Sequence, residues 1–309
     1  MLKAVFMGTP DFAARSLEAL YEKHEVLAVV TQPDKPKGRG KKMIPSPVKE
    51  LALSHGTDVL QPKSAKDGEL LESLKAYKPD VLVVVAYGKI LPKDILEYAP
   101  YGSINIHGSI LPKLRGAAPI QRSIINGDKT CGVTSMLMDE GMDTGDMLIK
   151  REVRIGEDET FGELFERLSH VGAQVLLETL EGLEAGSLTP EKQDEEEATY
   201  APMIDKETER INWNDSAYNI INLARGLDPQ PGAYSTWKGQ NIKFFRLKED
   251  SGEYEGVPGQ VVHTDKKSFS IMTGEGAVKA GEVQLQGKKR MDAGSFMRGN
   301  KIEIGDVFE

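Results

Sequence analysis

Cysteine is almost missing from this chain. One thiol in 309 residues, Cys131, rules out an internal disulfide and a cysteine-rich metal site. It falls in an apolar strand segment, which favours a buried inert thiol over a nucleophile. Long apolar runs are missing too. None approaches the roughly 20 residues that span a bilayer, so no membrane partner is expected. The first residues enter a strand directly, and no charged-then-apolar secretory leader is expected. With one reduced thiol, the cytoplasm is the expected compartment. There is no Gly-x-Gly-x-x-Gly run, which weakens the case for a dinucleotide site, and no internal repeat or low-complexity tract. Positive charge is also scarce overall, the net charge being −9. Spread evenly, that would argue against a nucleic-acid partner. Residues 206–309, however, hold 15 basic and 15 acidic side chains, so the whole excess sits in residues 1–205. That distribution leaves room for a local basic surface.

What is present is an ordinary globular composition, 39% hydrophobic and 28% charged, long enough for two domains with real cores. Sixteen prolines and thirty-one glycines imply many short connections. Residues 2–7 read as a buried strand, and Gly8-Thr9-Pro10-Asp11 turns the chain into a helix ending near Tyr21. This opening is typical of doubly wound α/β domains. Further strands are expected at residues 26–30, 58–60 and 132–138. Residues 80–86 are apolar on both faces, as in a central parallel strand. Thr160-Phe161-Gly162-Glu163 reads as a capping box that opens a long helix through Leu164, Leu168, Val171, Val175 and Leu180. Residues 190–205 are acidic and contain proline, the composition of a linker. Beyond them Asp215-Ser216 caps a helix to Arg225, and five short alternating segments with glycine turns suggest a small barrel. The expected architecture is α/β: a doubly wound, Rossmann-like parallel-sheet domain over residues 1–189, then a small OB-like β-barrel domain over residues 206–309.

The chemistry concentrates in Asn105-Ile106-His107-Gly108-Ser109-Ile110-Leu111-Pro112. Alternate side chains of a strand share a face, so Ile104 and Ile106 point into a core while Asn105 and His107 point together the other way. There Asn105 can donate to a developing oxyanion, and His107 can donate or relay a proton. The alternative is a buried pair that only satisfies backbone groups. Residues 139–146 carry four carboxylates but lack the ligand pattern and final Glu of an EF-hand. No metal is expected there, and a carboxylate beside His107 would fix its ring. Tyr87-Gly88 is either a turn whose backbone can hydrogen-bond a planar heterocycle or a plain strand-to-helix connection.

Five bases crowd residues 35–42, namely Lys35, Lys37, Arg39, Lys41 and Lys42, between prolines and glycines. They read as an exposed mobile loop, either merely solvated or an arm that grips a polyanion. In the barrel, Lys243, Arg246, Lys248, Lys288, Lys289, Arg290 and Arg298 form one RNA-facing strip or belong to the mixed surface of a stabilising domain.

The run from Asn105 to Pro112, with Arg115-Gly116-Ala117-Ala118-Pro119-Ile120-Gln121 and Asp143-Thr144-Gly145-Asp146, resembles the core motif of the 10-formyltetrahydrofolate-dependent formyltransferases. The likeness extends from the first strand to the C-terminal domain. Its Arg-Gly-Ala-Ala-Pro-Ile-Gln version is similar to the branch that formylates methionyl-tRNA. The resemblance implies formyl transfer from 10-formyltetrahydrofolate to the α-amino group of methionine on initiator tRNA, a step of translation initiation, with Asn105, His107 and Asp143 as the working triad. It places the folate pocket along Ser109, Ile110, Leu111 and Pro112 and along Val85, Tyr87, Gly88 and Ile90. It makes the basic loop the arm that reaches the tRNA acceptor end, with Arg39 at the position tied to recognition. Lys243, Arg246, Lys288 and Lys289 would carry the C-terminal tRNA contacts. Initiator methionyl-tRNA and the folate co-substrate are then the partners, no metal is required, and the protein is expected to be a monomer. Leu114 departs from the pattern, because many relatives carry an aromatic there. Two rivals remain. A formyltransferase for an amino sugar or a ribonucleotide amine would not need the basic loop and barrel. A non-catalytic tRNA-binding module would not need the triad.

Overall fold

The computed structural model describes residues 1–37 and 42–309. Gly38, Arg39, Gly40 and Lys41 lie outside the described residues, and with them the tRNA contacts expected of Arg39 and Lys41. The chain forms two compact units. The first comprises residues 1–119, 131–153 and 165–201, the second residues 120–130, 154–164 and 202–309.

In chain order the first stretch runs β1 (Lys3–Gly8), α1 (Asp11–Lys23), β2 (Glu25–Val30), β3 (Lys35–Lys37), β4 (Lys42–Ile44), α2 (Pro47–Ser54), β5 (Asp58–Leu60), α3 (Glu69–Tyr77) and β6 (Val81–Val85). It continues with α4 (Lys93–Leu96), β7 (Ser103–His107), α5 (Pro119–Ile125), β8 (Thr130–Leu137), β9 (Met147–Arg154) and α6 (Phe161–Glu184). Among the described residues, seven strands form the main sheet in the order β5-β2-β1-β6-β7-β8-β9. β1 pairs parallel with β2 and β6, β2 with β5, and β6 with β7. The chain builds outward from β1 to β5 and then returns to β6 on the other side. The switch point therefore lies between the carboxyl ends of β1 and β6, where open α/β sheets take ligands. Every residue of β6 is buried, as its two-sided apolar pattern requires. Gly8 ends β1 where a Cβ would come within 2.7 Å of Ala13 Cβ and 2.9 Å of the Val85 carbonyl oxygen, so only glycine fits that turn.

The sheet is not parallel throughout. β8 runs antiparallel to β7, with His107 opposite Thr134 and Asn105 opposite Met136. A parallel partner needs a crossover that returns along the sheet, and residues 120–130 belong to the second unit instead. The edge strand β9 escaped the sequence reading because most of it is exposed or half-buried, which leaves no apolar face to detect. The basic loop differs as well. β3 and β4 pair antiparallel, with Lys35 opposite Ile44 and Pro36 opposite Met43, so the flanks of the expected loop are a short ribbon. Pro36 is compatible with it because each strand of a two-stranded ribbon has an outer edge that needs no donor.

The second unit contains α7 (Ala217–Gly226), β10 (Ala233–Trp237), β11 (Gln240–Phe245), β12 (Lys248–Asp250), β13 (Val261–Thr264), β14 (Phe269–Met272), β15 (Ala277–Lys279), β16 (Glu282–Leu285), β17 (Met291–Asp292) and α8 (Ala293–Gly299). Its strands form two antiparallel sheets, β10-β11-β16-β17 and β12-β15-β14-β13, a small OB-like barrel around one aromatic core. Trp213, Trp237, Phe244, Phe269, Phe296 and Phe308 are all buried in it, and the Phe244 and Phe308 rings meet edge to face at 5.2 Å. Each such side chain contributes about 2 kcal/mol by leaving water. β12, β15 and β17 are too short for alternation to show in the sequence.

The capping box forms as its spacing predicts. Glu163 accepts from Thr160 N and Thr160 Oγ1, both at 2.8 Å, and from Arg246 at 3.0 Å. The Thr160 backbone first, then its hydroxyl and Arg246, hold the Glu163 carboxyl down from the ordinary 4.5 to about 2. A carboxyl depressed on folding adds stability that is present above about pH 4.5 and lost as pH falls through about 2. The side chain is half exposed, so solvent screening keeps the effect small. Glu163→Gln should therefore flatten the acid limb of thermal stability over that interval. Superimposable melting-temperature profiles for parent and variant between pH 2 and 5 would show that the box contributes nothing.

Candidate active site

The carboxyl end of β7 carries the two residues singled out from the sequence. Ile104 and Ile106 are buried as expected. Asn105 Nδ2 donates to the Val84 carbonyl on β6 at 3.1 Å. That uses one of its two hydrogens and leaves the other for a substrate. Its Oδ1 is buried with no partner among the described residues, a costly arrangement unless a donor meets it. His107 is 7% exposed, and its Nε2 lies 3.0 Å from the Leu114 carbonyl oxygen. A carbonyl only accepts, so Nε2 carries a hydrogen and Nδ1 is the nitrogen left for chemistry. Nδ1 faces Asp143 Oδ2 at 3.6 Å. This is longer than a direct hydrogen bond, a gap of the kind that tightens when substrate is bound. Asp143 Oδ2 in turn accepts from Gly116 N at 2.8 Å. Three separate motifs, around residues 105–112, 115–116 and 139–146, thus converge on one imidazole.

Two residues with left-handed backbones shape this convergence. Leu114 has φ +59° and Asp143 φ +57°, conformations that non-glycine residues rarely adopt and that collect at functional sites. Leu114 N is held by Thr199 Oγ1 at 2.9 Å, which aims its carbonyl at His107. The residue that departs from the family's aromatic therefore serves through its backbone.

Most of the residues expected around a folate have buried or half-buried side chains. Val85, Leu111 and Pro112 are buried, with Leu111 packed against Met136 and Met147. The Ser109 hydroxyl donates to Lys113 O at 2.6 Å, and Ile110 is half-buried. Tyr87 is sunk in the core, where burial pushes its hydroxyl up to about 12. Ala86 and Gly88 on either side of it are exposed. Sequence reasoning missed what holds this loop. Gln32 Nε2 donates to the Tyr87 and Gly88 carbonyls, each at 3.0 Å, and Thr9 Oγ1 reaches Tyr87 O at 3.4 Å. Their one sequence signal was position, since both follow a strand's carboxyl end. Ile90, 75% exposed, lines a cavity of about 410 Å³ with Ala65, Leu71, Leu91, Pro92 and Glu140. None of Asn105, His107 and Asp143 lines it. Among the described residues no three His, Cys, Asp or Glu side chains gather as a metal site, and no helix is long and apolar enough to cross a membrane.

The expected basic strip of the barrel is broken up by carboxylates. Arg246 pairs with Glu163 at 3.0 Å and Asp228 at 3.6 Å. Arg290 grips Asp228 at 2.6 and 3.1 Å, bonds Glu282 and covers the Phe245 ring. Lys248 faces Asp158 at 3.7 Å, and Lys243 Nζ donates to Pro231 O. Two of these acids, Asp158 and Glu163, lie outside the charge-balanced stretch 206–309. Lys288 and Lys289 are exposed between β16 and β17, and Lys35 is exposed on β3.

Fold and site define a formyl transferase. The family profile described as formyl transferase matches residues 2–180, and the formyl transferase C-terminal domain profile matches residues 203–301. The chain belongs to this family. More finely, it is 50% identical over 311 residues to the methionyl-tRNA formyltransferase of Lachnospira eligens, with 98% of each chain covered. Among solved structures, HypX from Aquifex aeolicus in complex with tetrahydrofolic acid superposes with a TM-score of 0.67 at 20% identity, over 100% of this chain and 50% of that one. A methionyl-tRNA formyltransferase from Clostridium thermocellum gives 0.55 at 20% identity, over 82% of this chain and 96% of that one. At such identities the two structures speak for the fold alone.

Proposed function

We infer that the chain transfers a formyl group from 10-formyltetrahydrofolate to the α-amino group of methionine on initiator methionyl-tRNA. The observation that carries the mechanism is the Asn105 amide beside a His107–Asp143 pair at the carboxyl end of β7. The ordinary α-amino pKa, near about 8, leaves enough neutral amine to attack. Its nitrogen forms a bond to the formyl carbon, the bond from that carbon to N10 breaks, and one proton moves from the amine to N10. The second hydrogen of Asn105 Nδ2 suits the formyl oxygen as charge builds on it, and the buried Oδ1 suits an N–H of the incoming amine. His107 Nδ1 and Asp143 sit where they can take and return the proton. The exposed backbone at Ala86 and Gly88, beside the switch point, fits the hydrogen-bonding edge of a folate heterocycle. One copy of the chain holds the whole triad, as a monomeric enzyme requires.

The test is formylation of charged initiator tRNA by the purified chain, in parallel with an amino-sugar nucleotide and a ribonucleotide amine. Product on the tRNA alone supports the reading, and product on either small amine alone overturns it. A second expectation tests the basic arm. Arg39→Ala should lower kcat/KM for methionyl-tRNA by about tenfold, the worth of one charge-assisted contact, with folate affinity unchanged. The variant's kcat/KM should fall less steeply with salt than the parent's, so that the gap narrows as salt rises, because one phosphate contact is gone. Parent-like kcat/KM at two salt concentrations would reduce the arm to a solvated connection.

A further inference from the structure

We propose that Gln193 is a positioning residue of the formyl transfer, holding the Asp143 turn in place against His107. The inference rests on the reading of Asp143 as a member of the triad. Both hydrogens of Gln193 Nε2 are used, one on the Asp143 carbonyl and one on the Gly145 carbonyl, each at 2.8 Å. Its Oε1 accepts from Arg115 Nε at 3.0 Å. The amide thus grips the acidic turn at one end and is fixed at the other.

What fixes it is itself immobilised. Arg115 is fully buried, and its two outer nitrogens hold Glu195 at 2.9 and 2.8 Å in a bidentate pair. The Arg115 backbone donates to Thr199 O at 2.8 Å and accepts from Ala201 N at 2.7 Å. Glu191 and Met147 exchange backbone hydrogen bonds at 2.8 and 2.9 Å. Residues 191–201, acidic and linker-like in sequence, are therefore a strap sewn to both loops that make the site. Asp143 is tied to the strap's anchor twice: its carboxylate takes Gly116 N, next to Arg115, and its carbonyl takes Gln193. A residue at φ +57° persists only where its surroundings over-determine it. Gln193 supplies that determination at the peptide next to the carboxylate that faces His107.

A double-mutant cycle separates positioning from general support. Gln193→Leu should lower kcat about tenfold, as expected for a sub-ångström misplacement of a reacting group, with both KM values within about twofold of the parent. Gln193→Glu keeps the acceptor for Arg115 but sets a carboxylate against two carbonyls, and should show the same kcat loss. Asp143→Asn should lose more, and the pair Asp143→Asn with Gln193→Leu should be no slower than Asp143→Asn alone, because nothing remains to be positioned. Losses that multiply in the pair, parent-like kcat in both Gln193 variants, or a fall in melting temperature without a fall in kcat would each overturn the proposal. Parent-like turnover in Asp143→Asn would overturn the triad reading as well. A damaged Asp143→Asn beside intact Gln193 variants overturns this inference alone.

Discussion

Alanine at His107, and separately at Asn105, should reduce turnover by at least about two orders of magnitude, the usual scale for a proton-transfer group or an oxyanion donor. The two variants should differ in stability. His107→Ala leaves the Leu114 carbonyl without its donor and empties a buried site, so it should destabilise the protein by about 1–3 kcal/mol. Asn105→Ala removes a donor to Val84 O but also a buried acceptor that has no partner among the described residues. These two effects, each about 1–2 kcal/mol, oppose one another. Asn105→Ala should therefore keep its melting temperature while losing its activity, the pattern of a residue retained for chemistry rather than folding. Single-turnover formylation at saturating substrates, with calorimetric melting, measures both. Near-parent rates in both variants would remove the oxyanion and relay roles together.

How far this site was legible follows from the range over which its residues act. Asn105 and His107 could be paired on one face because strand alternation is local. The long helix from Phe161 could be read because its capping box and apolar spacing lie within a few turns. Asp143 came from resemblance, since no periodicity links it to His107 across 35 intervening positions. Thr9, Gln32 and Gln193 act on carbonyls far away in sequence, and a polar side chain aimed at a distant backbone leaves no pattern. The antiparallel turn of β8 and the pairing of Arg246 and Arg290 with Asp228 were hidden for the same reason. Charge was countable from sequence, but its partners were not.

A methyl group at Gly145 should be nearly as damaging to turnover as loss of the imidazole. An added Cβ would overlap the Leu137 carbonyl oxygen and lie 2.8 Å from its carbon. These are backbone atoms at the end of β8, and they cannot rotate away. The Leu137 amide also donates to Asp146 O at 2.9 Å, so the turn is closed on both sides of Gly145. It would have to move by about 1 Å, and displacements of that size cost about a hundredfold in rate. Gly186→Ala is the control for general destabilisation. Its backbone is left-handed, at φ +64°, so a side chain there is strained, but nothing lies within 4 Å of the added carbon, and it should cost about 1 kcal/mol of stability and no activity. Equal activity losses in the two variants would mean that general destabilisation, not displacement of the Asp143 turn, is responsible.

The aromatic core has an optical consequence. The chain has 2 tryptophans, and both, Trp213 and Trp237, lie in the second unit's core. Indole emission is therefore a reporter for the barrel and is blind to the sheet that carries the chemistry. A lesion such as Gly145→Ala should leave the emission spectrum unchanged while amide circular dichroism or hydrogen exchange registers it. Fluorescence and dichroism melting curves will coincide only if the two units unfold as one cooperative block, so the gap between the curves reads out directly how far each unit's melting is its own.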